Sequence, residues 1–70
     1  MAVFIYSSHA RLRMKQRGLS MTEVEYVAEF AAYKKKSFAG LTEAVAEINN
    51  RTVKVVFKEK KNYIKVVTVI

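Results

Sequence analysis

Cysteine, aspartate and proline are all absent from these 70 residues, and there are two glycines and a single histidine. Without cysteine there is no disulfide and no thiolate metal site. One histidine with no aspartate leaves too few ligands for a zinc or iron centre, so neither metal nor cofactor is expected. The apolar start Met1-Ala2-Val3-Phe4-Ile5-Tyr6 is too short for the core of a signal peptide and lacks a basic flank. No later apolar run approaches the ~20 residues that cross a bilayer. A soluble, cytoplasmic protein with no membrane partner is the expectation. With no linker-like stretch and no repeat, residues 1–70 read as one small domain with a modest core and no deep cleft.

What the chain has in excess is positive charge. Thirteen Lys and Arg stand against six Glu, a formal +7. Such a field attracts a polyanion such as RNA through its phosphates, and attracts an acidic protein partner equally well. A basic surface also serves solubility alone.

The local pattern predicts a short extended start at Val3 to Tyr6, then Ser7 or Ser8 as N-cap of a first helix of about ten residues that stops at Gly18. Ser20-Met21-Thr22-Glu23 fits a capping box at the start of a second helix running to about Tyr33. That helix carries Val24, Val27, Ala28 and Ala31 on one side and Tyr26, Phe30 and Tyr33 nearly opposite. The aromatic stripe is expected to be covered by the first helix; failing that, it is a surface for homo-oligomerisation. Lys34-Lys35-Lys36 then reads as a solvated run that complements the dipole at the helix end. From Glu43 the period becomes alternating. Ala44, Ala46 and Ile48, a turn at Asn49-Asn50, and Val53, Val55 and Phe57 describe a β-hairpin, and Tyr63 to Ile70 supplies a third strand. Residues 41–48 also suit a short helix; the alternation favours strand. The expected fold is therefore α+β, two N-terminal helices packed on a three-stranded antiparallel β-meander, extended by residues 3–6 as an edge strand.

On the first helix, His9, Arg13 and Arg17 fall within an arc of about 80° at ~100° per residue, beside Ala10 and Met14, which face the core. His9 lies in the first turn, where free backbone N–H groups can hold an anion. Histidine exchanges protons near neutral pH, and arginine forks hold phosphate oxygens. These are the parts that RNA cleavage needs when the substrate's own 2′-OH is the nucleophile. Arg11 and Lys15 on the same helix, and Arg51, Lys54 and Tyr63 from the hairpin region, are candidates for contacting nucleic acid. The second proton-transfer group stays open among Tyr63, Lys54 and a glutamate. The plain alternative is a histidine bonded to nearby backbone and arginines that are solvated or paired with glutamates. Thr68, in Val66-Val67-Thr68-Val69, reads from the residues alone as an ordinary strand threonine.

The run His9-Ala10-Arg11-Leu12-Arg13-Met14-Lys15-Gln16-Arg17-Gly18-Leu19-Ser20, with Val24, a Val-Val-Phe strand and a closing Val-Val-Thr-Val strand, resembles the bacterial domain of unknown function 4258 over nearly the whole chain. Its characteristic positions fall on His9, Arg13, Met14, Arg17, Gly18 and Thr68. The chain departs from that pattern before the hairpin, where it has only Gly40 in place of a longer glycine-bearing segment. The resemblance implies a RelE-like architecture, similar to RelE/ParE-type toxins and to metal-independent RNases of the barnase, EndoU and colicin group. It also implies a toxin-like endoribonuclease with His9, Arg13, Arg17 and Thr68 as its catalytic residues, and with an antitoxin as the acidic protein partner. The alternative reading is a non-catalytic module that binds nucleic acid or protein.

Overall fold

The computed structural model describes residues 3–70. Met1 and Ala2, read above with the apolar start, lie outside them. Strand β1 (Val3–Tyr6) leads into helix α1 (Ser8–Arg17), and helix α2 (Met21–Phe30) follows after a short junction built from Gly18 to Ser20. Ser7 caps α1: its Oγ accepts from the Ala10 N–H at 3.0 Å and donates to the Val67 carbonyl at 2.8 Å. One side chain thus closes the free helix end and ties it to a distant strand. At the other end Gly18 adopts φ 67°, Leu19 N–H donates to the Met14 carbonyl at 2.9 Å, and buried Leu19 and Met14 share the core. This is a Schellman closure, and the left-handed residue it requires is why glycine stands there. Ser20 and Glu23 form the reciprocal capping box of α2.

The chain then departs from expectation. Helix α2 ends at Phe30 and not at Tyr33, because Ala31 turns extended at φ −59°, ψ 135°. Residues Tyr33–Lys36 form a strand, β2, and the lysine run is an edge strand, although Lys34 Nζ still reaches back to the Glu29 carbonyl at 3.3 Å. Three lysines are well placed on an edge, since their charge discourages a further chain from pairing there. After a turn through Phe38–Gly40 come β3 (Thr42–Ile48), β4 (Arg51–Glu59) and β5 (Tyr63–Val69). Residues 42–48 are strand, and Asn49 and Asn50 supply the two positive φ values, 52° and 66°, of a tight hairpin turn.

The expected three-stranded antiparallel meander covers only β3, β4 and β5. The sheet has five strands in the order β1-β5-β4-β3-β2 and is mixed: β1 runs parallel to β5. The two strands that the meander omits occupy the two edges. β1, expected at an edge from residues 3–6, pairs with β5 by chain return across the molecule, whereas β2 pairs with its neighbour β3 through the short turn at residues 37–41, where Ser37 N–H donates to the Leu41 carbonyl at 2.7 Å.

Both helices lie on one face of this sheet, α1 over β5 and α2 over β3 and β4. Ala10, Met14, Leu19, Val24, Val27 and Ala28 meet Ala44, Val53, Val55, Phe57, Val66 and Val69 in one core. Val66 and Val69, three residues apart, would face opposite ways along a regular strand. Both are fully buried because the β4–β5 register shifts at Val56/Phe57 and inserts one residue. Among the described residues nothing covers the other face, where Val3 and Ile5 are 60% and 45% exposed. The aromatic stripe is not covered by α1, which its Ser7 bonds hold over β5. Tyr26 and Phe30 stack at 5.5 Å in solvent, 52% and 68% exposed, and Tyr33 is separated from them on β2.

Candidate functional site

Helix α1 carries more net positive charge than any other element. Its ten residues include Arg11, Arg13, Lys15 and Arg17 and no acidic residue. Among the described residues the ion pair is Lys54 with Glu43, 3.6 Å apart on the sheet, so no carboxylate neutralises the helix. Like charges at Arg11/Lys15 and Arg13/Arg17 repel across one turn, each pair costing roughly 0.2–0.5 kcal/mol, and Arg11 opposes the dipole in the first turns. A helix built this way favours an anion on its outer side. His9 and Arg17 are exposed and Arg13 is half-buried. The Nε of Arg13 is shielded from solvent and has no acceptor among the described residues, a costly state for a charged donor.

The N-terminal end of α1 carries a further pair with no local sequence signal. The Tyr6 hydroxyl donates to Glu25 Oε2 at 2.6 Å, joining the end of β1 to the middle of α2. Burial, reinforced by the Glu25 carboxylate and opposed by Arg11, pushes the tyrosyl pKa well above its ordinary 10.0. Tyr6 therefore holds its proton and orients the Glu25 side chain through that hydrogen bond. The two residues are 19 positions apart, so only the tertiary fold brings them together.

The C-terminal end of α1 is held by Arg51, at the start of β4. Its guanidinium donates to the Arg17 carbonyl at 2.6 Å and to the Gly18 carbonyl at 3.3 Å. Two carbonyls that an α-helix leaves without partners are thereby satisfied. Asn49 Nδ2 approaches Glu23 Oε2 at 3.4 Å, so the β3–β4 turn grips the helix junction on both sides. The Ser20 N–H, with the nearby Arg51 charge, holds the Glu23 carboxyl below the usual carboxylate range. Arg51 is thus spent on the backbone of α1.

The candidate residues divide between two faces. His9, Arg11, Arg13, Lys15 and Arg17 belong to α1 on the helical layer. Lys54 lies between the core residues Val53 and Val55, Tyr63 precedes the partly buried Ile64, and Thr68 is opposite Val56, which places all three on the uncovered face. Thr68 is therefore not brought together with the His9, Arg13 and Arg17 stripe.

A family model described as "Domain of unknown function (DUF4258)" matches residues 6–70. The chain belongs to that family. No curated protein and no solved structure matches it.

Proposed function

We propose that this DUF4258 protein acts on RNA, holding phosphates along α1 and cleaving the strand with the help of His9. The observation that carries this reading is a ten-residue helix with four cations, no acid and no ion pair among the described residues, with an exposed histidine at its start. In the step proposed, a base removes the 2′-OH proton, the oxygen attacks the adjacent phosphorus, and the 5′-oxygen leaves with a proton, giving a 2′,3′-cyclic phosphate. Arg13 and Arg17 offset the charge that grows on the non-bridging oxygens. His9 takes one of the two proton transfers, and Glu25, oriented by Tyr6, is the group proposed for the other. Such a reaction needs no metal, which makes a chelated assay the natural test.

Wild type and His9→Ala, both checked for folding by circular dichroism, are incubated with a mixed-sequence RNA in EDTA. Cleavage by the wild type and its loss in the variant are expected; equal cleavage by both removes His9 from the reaction. A second reading, binding without cleavage, draws on the split of the candidate residues between two faces. It predicts that neither protein cuts, while both retain RNA at low salt and release it as salt rises.

A further inference from the structure

The uncovered face of the sheet carries a charge arrangement that α1 does not explain. The register aligns Ile5, Lys65 and Lys58 across β1, β5 and β4, so the two lysines stand directly opposite each other on neighbouring strands. Side chains in that relation are close neighbours, and like charges there are destabilising. Among the described residues no carboxylate offsets the pair. Glu43 is engaged by Lys54, Glu47 lies at the far end of the strands opposite Thr52, and Glu59 follows Lys58 onto the helical side, opposite Ile64. The Lys58 side chain passes near Gly40, its Cε 3.8 Å from the place a β-carbon on that residue would occupy. Tyr63, two residues before Lys65 and opposite Val3, adds a half-buried aromatic ring on the same face.

Resting on the RNA reading above, we infer that Lys58 and Lys65 form a second phosphate clamp, for single-stranded RNA, with Tyr63 as a stacking surface for a neighbouring base. The pairing of a cation cluster with a half-buried ring on an open sheet suits a single strand, whose bases are free to stack. A duplex keeps its bases inside and offers only its backbone. This clamp and α1 lie on opposite faces, so a strand that touches both must pass around an edge of the molecule.

Binding of an uncleavable 2′-O-methyl RNA of twelve nucleotides, followed by fluorescence anisotropy at several salt concentrations, tests the clamp. The proteins are wild type, the double variant Lys58→Gln/Lys65→Gln, and Arg13→Gln/Arg17→Gln as the α1 control. Removing mutually repelling charges should leave the thermal midpoint unchanged or raised, so the clamp variant folds. It is expected to bind at least tenfold more weakly, with a salt slope shallower by about 1.4, two phosphates at ~0.7 each. Tyr63→Leu should weaken binding at constant slope. Affinity and slope equal to wild type in the clamp variant overturn the inference while leaving the α1 reading intact. Absence of RNA binding by the wild type overturns both, and tighter binding of a blunt duplex than of the single strand overturns the clamp alone.

Discussion

Tyr6 shows how much a single side chain can decide. It ends β1, contributes its ring to the edge of the core and spends its hydroxyl on Glu25. Because the folded state holds the tyrosyl proton more tightly than the unfolded chain does, this residue's contribution is complete below pH 10 and declines as pH rises beyond it. Tyr6→Phe should therefore cost about 1–2 kcal/mol at neutral pH, where Glu25 loses its donor. It should also flatten the alkaline fall in stability. Urea midpoints of the two proteins measured from pH 8 to 11.5 check this, and parallel alkaline slopes would contradict the assigned role. The pair was not legible beforehand: Tyr6 reads as the last apolar residue of a strand and Glu25 as one of three glutamates on a polar helix sector.

At the scale of elements, α1 is fastened at both ends by residues that come from the sheet or bond to it. Arg51 is the stronger fastening, since each of its hydrogen bonds is charge-assisted and ends on a carbonyl that would otherwise face water alone. Arg51→Ala should cost about 1–3 kcal/mol and speed hydrogen exchange at the last amides of α1. Lys54→Ala, which breaks an ion pair on the open face, should cost at most about 1 kcal/mol. Equal losses by denaturant titration would contradict the distinction. Caps and turns were readable because their chemistry is local: Ser7, Gly18, the Ser20/Glu23 box and Asn49-Asn50 each satisfy backbone groups within a few residues. Strand β2 was not readable, since Tyr33–Lys36 has no alternation of its own and becomes a strand only because β3 offers a ladder. The His9, Arg13 and Arg17 stripe was readable from helical spacing alone. That Thr68 falls on the other face was not, because it depends on the inserted residue in β5.

For the whole molecule, the contrast lies between one face doubly clad by helices and one left open. Burial and not residue type decides what each aromatic is worth. Phe57 is enclosed between α2 and the sheet, and Phe57→Ala should lose about 3–5 kcal/mol. Phe30→Ser, on the outer side of α2, should change stability by no more than about 0.5 kcal/mol. Thermal melts of both variants check the pair of values. A Phe30→Ser loss approaching that of Phe57→Ala would mean that the exposed stripe is covered in solution, by a second copy of the chain.

The parallel pairing of β1 with β5 also sets a clock. Val3 finds its neighbour Tyr63 only after sixty further residues, Tyr63 included, have been synthesised, which at roughly 5–20 residues per second takes about 3–12 s. Throughout that interval an apolar strand has no ladder to join. The protein's most exposed moment thus belongs to its birth on the ribosome, when a chaperone or a wrong partner has seconds in which to reach β1 first.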